Sequence, residues 1–163
     1  MSGESSKSLL PLVEILISIG IFAVAVVLTL NVFLLAKFLG DRTSDTARAI
    51  FELQNVAENI KTMETDAEME SYIKNELNGD ISDGVYILYY DEHWSLINGG
   101  EKAAFSMKIE MDRDAYDSGG LYRFRLDFYK MEPYPFINEK QVAKDPDFVP
   151  MLASVNASKF ILN

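Results

Sequence analysis

The feature that most constrains this chain is a run of 22 consecutive residues without a charge, from Ile15 to Ala36. In a helix, a run of that length at about 1.5 Å per residue extends roughly 33 Å, enough to cross a hydrocarbon core of about 30 Å. A cleaved secretory signal has a shorter apolar core followed by small residues, whereas this run leads into Lys37 and Phe38. The run therefore predicts a membrane-spanning helix.

The rest of the chain is acidic. The full sequence has a formal net charge of −10, and all of it arises after Gly40. Nucleic-acid binding requires a basic surface, so this charge argues against that class of partner. The sequence has no cysteine, which excludes disulfides, cysteine-ligated metals and a thiol nucleophile. A single histidine, His93, argues against His-pair zinc sites and histidine-based hydrolysis.

Glu14 is the candidate functional residue of the apolar segment. It is surrounded in sequence by leucine, isoleucine and valine, where an ionised carboxylate is costly unless it is paired, protonated or able to reach the headgroups. Two interpretations follow: Glu14 serves a function inside the membrane, or it lies at headgroup level and marks the start of the span.

The stretch from Leu10 to Phe22, LPLVEILISIGIF, resembles the N-terminal signature of type IV prepilins and pseudopilins. In that family a short polar leader ends in glycine, an apolar residue opens the mature chain, and a glutamate follows four positions later. The resemblance matches Leu10 to the first mature residue and Glu14 to the glutamate. It implies a processing junction between Leu9 and Leu10, and it implies that Glu14 neutralises the N-terminal amine of a neighbouring subunit during filament assembly.

The chain departs from this signature at two positions. Leu9 stands where the family has glycine before the cut, and Pro11 stands where a small polar residue is usual. Gly3 lies too far upstream to replace the missing glycine. Two alternatives therefore follow: a prepilin peptidase cuts before Leu10, or the leader is retained and no new amine appears beside Glu14.

The helical pattern continues beyond the apolar segment. Ile50, Leu53, Ala57 and Ile60 recur at spacings of three and four, and Phe51, Val56 and Met63 widen this apolar stripe. One helix is expected from about Pro11 to about Thr62. The sequence from Thr65 to Glu68 is typical of a capping box, which predicts a second helix from about Asp66 to Asn78 that stops at Gly79.

From Asp80 the apolar period changes to two, which predicts antiparallel strands. Alternating segments place one set of side chains on an apolar face and Arg123, Arg125 and Asp127 on a wet face. The expected strands are Val85–Tyr90, His93–Ile97, Ala103–Met111, Tyr122–Phe128 and Ser154–Leu162, with an irregular segment over residues 132–150. The helical stripe is the natural cover of the apolar face. The predicted fold is α+β: a long N-terminal helix with a membrane half and an amphipathic half, packed on a small antiparallel β-sheet, as in pilins.

Three further patterns have competing interpretations. Asp112, Asp114 and Asp117 suggest calcium, but their spacing departs from the EF-hand pattern, and a hairpin turn explains the same residues. His93 and Trp94 form either a binding surface or an aromatic edge packed on the sheet. The triplet at Asn156 matches a glycosylation sequon, a pattern that is frequent by chance. No catalytic, metal or cofactor site is predicted.

These features predict four segments: a leader-like segment (1–9), a transmembrane or filament-core helix (10–40), an amphipathic extension with a second helix (41–79), and a β headgroup with an irregular C-terminal part (80–163). The favoured function is that of a minor pilin or pseudopilin in a pilus, competence or secretion-like filament. Expected partners are other pilin subunits, membrane lipid and, subject to Leu9, prepilin peptidase. The alternative is a single-pass signal-anchored protein with a small extracellular binding domain. Both place the chain in the cell membrane as a single-pass protein with its C-terminal domain on the extracytoplasmic side, and the first adds a cell-surface filament.

Overall fold

The structure is a computed structural model that describes residues 5–77, 79–82, 85–116 and 119–162. The chain divides into two compact units, Met1–Gly40 and Asp41–Asn163. We refer to the first as the apolar unit and to the second as the head. One helix, α1, supplies residues to both units.

The described elements give an α+β fold, as the sequence predicts. A long helix is followed by a short helix and an antiparallel sheet, with a further short helix between the last two strands. The helices are α1 (Ser5–Thr62), α2 (Asp66–Ser71), a π-helical turn (Tyr72–Glu76) and α3 (Glu139–Val142). The strands are β1 (Asp80–Ser82), β2 (Val85–Tyr90), β3 (Leu96–Ile97), β4 (Phe105–Tyr116), β5 (Gly119–Lys130) and β6 (Met151–Leu162).

Among the described residues, every strand pair is antiparallel and the sheet order is β1-β2-β4-β5-β6, with β3 also on β2. β4 and β5 form a long hairpin in register from Phe105 opposite Lys130 to Tyr116 opposite Gly119. The register of β5 with β6 shifts once, between Phe128 and Tyr129, and is regular from Ala153 onward. Because β6 stands at the end of the strand order and pairs with β5, it is the long outer strand of the sheet.

The head core lies between α1 and one face of the sheet. From α1 it buries Ala49, Leu53, Val56, Ala57 and Ile60, and the sheet contributes the inward positions of β2, β4 and β5. Leu53 and Ile60 lose all contact with solvent. Burying a leucine or isoleucine side chain removes it from water at a gain of about 1.5–3 kcal/mol, so this stripe is a principal source of head stability.

Two residues assigned to the stripe from the sequence lie outside it. Ile50 and Phe51 are exposed, and Ala49 occupies the core position instead. The buried residues of α1, from Ala49 to Ile60, are spaced by four, three, one and three positions, which keeps them on one face of the helix. Ile50 lies one residue, or about 100°, past Ala49, which turns its side chain away from the sheet.

A side chain of the sheet holds the C-terminal end of α1. Lys159 of β6 donates from Nζ to the backbone oxygens of Lys61 and Met63. Carbonyls at a helix C-terminus have no partner within the helix and carry a partial negative charge, so an ammonium group stabilises them. This contact ties the last turn of α1 to the outer strand.

The second helix is shorter than predicted. The Thr65 hydroxyl accepts from the Glu68 amide at 3.2 Å, as in a capping box, while the Glu68 carboxylate accepts from the amide of Glu64 at 2.8 Å. The α-helix then gives way to the π-helical turn, where Leu77 donates to the Tyr72 carbonyl at 3.0 Å. Gly79 donates to the Ile73 oxygen, and a Cβ on Gly79 would lie 2.9 Å from that atom, so glycine is needed there.

Several predicted bounds need correction. α1 begins at Ser5 rather than near Pro11, so Pro11 lies inside the helix, where proline removes one internal hydrogen bond and crowds the carbonyl four residues before it. The expected strand His93–Ile97 is reduced to Leu96–Ile97, since Trp94 has a positive φ of 65° that interrupts an extended strand. β6 begins at Met151 rather than Ser154, and β1 was not expected.

Candidate functional site

The apolar unit presents an unusual helix. From Leu12 to Leu35 its large apolar side chains are exposed, including Phe22 at 70% and Phe33 at 66%. Among the described helices, the segment Pro11–Thr62 is long and apolar enough to cross a membrane, and none of its most apolar stretch is buried. A core helix of a soluble protein would be largely buried. An apolar surface of this extent is stable only against lipid or other apolar helices.

The short hydroxyl side chains inside this stretch form hydrogen bonds to backbone oxygens of the same helix. The Ser18 hydroxyl donates to the Glu14 backbone oxygen at 2.9 Å, and the Thr29 hydroxyl donates to the Ala25 backbone oxygen at 2.8 Å. Such bonds let hydroxyl side chains enter an apolar phase without an unpaired donor. Ser18 and Thr29 therefore do not oppose membrane insertion of the helix.

Glu14 lies on α1 within the exposed apolar surface, and its side chain is itself exposed. Its neighbours Val13 and Ile15 are 49% and 57% exposed. The carboxylate is thus available to a group from outside the chain. Leu9 and Leu10, the predicted processing junction, belong to α1, but their side chains lie outside the described residues. The assembly role of Glu14 and the cut before Leu10 stay predictions.

The two described acidic residues of the Asp112–Asp117 pattern lie in the last part of β4 and pair with an arginine of β5. Arg123 contacts Asp112 at 3.1 Å and Asp114 at 2.8 Å, across the β4–β5 hairpin. The hydrogen bond to Asp112, followed by the charge of Asp114, raises the pKa of Arg123. Asp117 lies outside the described residues. Among the residues described, no cluster of acidic and histidine side chains is arranged to hold a metal ion, and these contacts match the hairpin interpretation.

The outer face of the sheet carries a shallow groove of about 430 Å³ across β4, β5 and β6. Cross-strand neighbours on its floor alternate in charge: Glu110 lies opposite Arg125, and Asp112 lies opposite Arg123. Asn156 of the predicted sequon is exposed and lines the same groove. The facing charges neutralise one another, which leaves the groove without an excess of either sign for a charged ligand.

Asp127 was expected on the wet face and is instead buried, with 3% of its surface exposed. It keeps its outward position, but the Ser154 hydroxyl donates to Oδ1 at 2.5 Å and Arg125 Nε lies 3.0 Å from Oδ2. A buried carboxylate is tolerated when it is paired and hydrogen-bonded. The alternation of polar and apolar residues along a strand predicts the face of the sheet on which a residue lies. It does not reveal whether neighbouring side chains cover that residue.

His93 and Trp94, for which the sequence allowed either a binding surface or an aromatic edge packed on the sheet, differ in how far they are buried. His93 is exposed. Trp94 is half-buried and stacks on Phe105 at 4.2 Å and on Phe128 at 5.4 Å between ring centroids. Arg48 of α1 lies over the outer side of the indole at 6.0 Å. Trp94 therefore packs on the sheet, as the aromatic-edge interpretation predicts.

Comparison with known proteins gives no family assignment, since no family model, curated protein or solved structure matches the chain.

Proposed function

We propose that this chain is a minor pilin or pseudopilin, a structural subunit that is stored in the membrane and assembled into a filament through its N-terminal helix. The observation that carries the proposal is α1 itself. One continuous helix, Ser5–Thr62, has an exposed apolar half that contains Glu14 and a second half with one face buried against an antiparallel sheet. A subunit that moves from lipid into a helical filament core requires both properties in one element.

The chemistry of Glu14 supports an assembly role. A carboxylate within an apolar phase is unfavourable by a few kcal/mol, and a positive partner offsets much of this cost. The resemblance at Leu10–Phe22 supplies such a partner in the N-terminal amine of a neighbouring subunit. Pairing of one Glu14 with one amine sets the axial position of each incoming subunit, because no other acidic residue occurs from Leu10 to Gly40.

The test is the distribution of the chain between membrane and assembled fractions in cells with their own assembly apparatus. Glu14→Ala is expected to stay in the membrane fraction while the unmodified chain also appears in the sheared, sedimentable fraction. Glu58→Ala is the matched control, because Glu58 lies on the exposed face of the same helix beyond the apolar segment and, among the described residues, forms an ion pair with nearby Lys61 alone. Glu58→Ala should distribute as the unmodified chain does.

Two outcomes would contradict the proposal. If Glu14→Ala enters the assembled fraction as readily as the unmodified chain, the carboxylate has no role in assembly. If the unmodified chain never leaves the membrane fraction in cells that assemble filaments, the single-pass anchored alternative is the better account.

A further inference from the structure

β6 is an outer strand with an unprotected edge. Its described residues pair with β5 on one side, and no described backbone group bonds to the other side. Outer strands of natural proteins are usually short or carry charge or proline, because a free row of amides and carbonyls pairs with other chains. β6 has 12 residues, and from Met151 to Ser158 it contains neither charge nor proline.

The opposite edge of the sheet consists of two short strands. β1 covers Val85–Ile87 of β2, and β3 covers Tyr89 and Tyr90. These two strands have three and two residues, too few to offer a long ladder to β6 of another molecule. A head-to-tail contact between the two edges would therefore be poorly matched, whereas β6 matches a second β6 in length.

We propose that β6 pairs in antiparallel orientation with β6 of a second copy of this chain, around a two-fold axis near Ala157. The regular part of the strand, beyond the register shift, runs from Ala153 to Leu162, and Ala157 lies next to its midpoint. An antiparallel pair of identical strands is isologous and closes after two copies. The small side chain of Ala157 lets the two strands approach at the axis.

The charge pattern of the strand favours this register. Lys159 is the one charged residue of β6, and its ammonium is held by the backbone oxygens of Lys61 and Met63. With the axis at Ala157, Lys159 lies opposite the partner's Val155, and Ser158 lies opposite the partner's Asn156. A register centred on Lys159 would place two like charges side by side, which is destabilising.

The size of the contact limits its strength. About nine residue pairs form a ladder of roughly 30 Å, and one added strand buries less than the roughly 800 Å² per partner of a standard stable interface. Pairing therefore requires that the copies are concentrated. The inference rests on the proposed function only in this respect, because confinement to a membrane raises the effective concentration of one head near another.

The test uses the absence of native cysteine. In the full chain, in membranes, single substitutions to cysteine are made in turn from Ala153 to Ile161, followed by mild oxidation. Facing residues of an antiparallel pair have Cα atoms about 4.5–5.5 Å apart, within the range of a disulfide. The dimer yield should peak at Ala157→Cys and fall sharply two residues away. Glu101→Cys, in an exposed turn, should give only background dimer.

A second substitution tests whether the crosslinks arise from specific pairing or from random collisions of crowded chains. In the Ala157→Cys background, Asn156→Glu places a carboxylate one residue from the axis on each copy, opposite Arg125 of its own sheet. Repulsion between the copies should lower dimer yield about threefold to tenfold. Asn98→Glu, in the exposed turn after β3, should leave it unchanged. Trp94 fluorescence checks that each head is folded.

A uniform yield along β6, a yield at Ala157→Cys no higher than at Glu101→Cys, or equal yields with and without Asn156→Glu would overturn the proposal. Its failure is separable from failure of the filament assignment. Loss of assembly in Glu14→Ala without β6 crosslinks supports the filament subunit and removes the edge pairing. A crosslink at Ala157→Cys with normal assembly of Glu14→Ala does the reverse.

Discussion

The phenol of Tyr134 donates a 2.6 Å hydrogen bond to the carboxylate of Asp45, joining two residues that are 89 positions apart. Lys130 donates to the same oxygen at 2.9 Å. Asn138 accepts from the Tyr134 amide at 3.1 Å and holds the turn that follows. The irregular segment after β5 is thus attached to the first turns of the head's part of α1.

This attachment predicts the effect of removing one hydroxyl. Tyr134→Phe keeps the ring and leaves Asp45 without its uncharged donor, so the free energy of unfolding should fall by about 1–2 kcal/mol. Tyr116→Phe is the matched control, because Tyr116 is 53% exposed and its ring contact with Phe160 needs no hydroxyl. Urea unfolding of the full chain in detergent micelles, followed by Trp94 fluorescence, measures both. Equal midpoints for the two variants would show that the bond contributes nothing to stability.

The face of α1 that meets the sheet makes a second prediction. Leu53→Ala opens a cavity at a site with no solvent exposure and should destabilise the head by about 2–5 kcal/mol. Ile50→Ala removes a side chain that is 39% exposed and should cost below about 1 kcal/mol. The same unfolding measurement compares them. If the Ile50 variant is the less stable of the two, the helix is rotated relative to the sheet.

Buried phenols predict a loss of stability in alkali. Burial, followed by the nearby Glu52 carboxylate, raises the pKa of Tyr90 well above its ordinary value. In the unfolded chain the phenol ionises near pH 10, while the folded chain keeps the proton. The free energy of unfolding is therefore unaffected below about pH 10 and falls above it, by up to about 1.4 kcal/mol per pH unit for this group.

Tyr90→Phe isolates this contribution. The variant lacks the ionising group, so its unfolding free energy should fall less steeply above about pH 10 than that of the unmodified chain. Thermal melts at several pH values on both sides of that point provide the comparison. Parallel curves for the two proteins would mean that the phenol of Tyr90 ionises as easily in the folded head as in the unfolded chain.

The orientation of the chain in the membrane gives a fourth prediction. Because the sequence has no cysteine, single cysteines report their own location. In intact cells, a membrane-impermeant maleimide should label Glu101→Cys in the exposed turn of the head as fully as it does after lysis. Labelling only after lysis would place the head inside the cell, and it would exclude a filament on the cell surface.

The fold was largely predictable because its main elements have strong local signals. The aromatic and β-branched run over Val85–Tyr90 and the end of α1 at Thr62 lie where the sequence places them. The exchange of Ile50 for Ala49 in the core escaped prediction, since the two differ by one residue and the choice depends on how the sheet seats against the helix. β1, with three residues, has no periodicity long enough to detect.

The candidate site differs from the fold in what the sequence reveals. Sequence patterns single out its residues, but they do not give the contacts that those residues make. Burial of Asp127 depends in part on Ser154, which strand pairing places opposite it from 27 positions away in the sequence, and no local spacing encodes that contact. Arg125, its other partner, lies two residues earlier on the same strand. Glu14 was found from the sequence alone, as a single acid in an apolar run. Its proposed partner belongs to another molecule, so a single chain does not contain the contact that would test it.

The mass of the intact chain isolated from producing cells tests the central claim most directly. The account predicts a chain that begins at Leu10, with its new amine N-methylated, because assembly through Glu14 requires that amine in a neighbouring subunit. Top-down mass spectrometry with fragmentation of the N-terminal segment reads this end without ambiguity. A chain that still begins at Met1 or Ser2 would contradict pilin maturation at Leu9 and would favour the anchored protein with a retained leader.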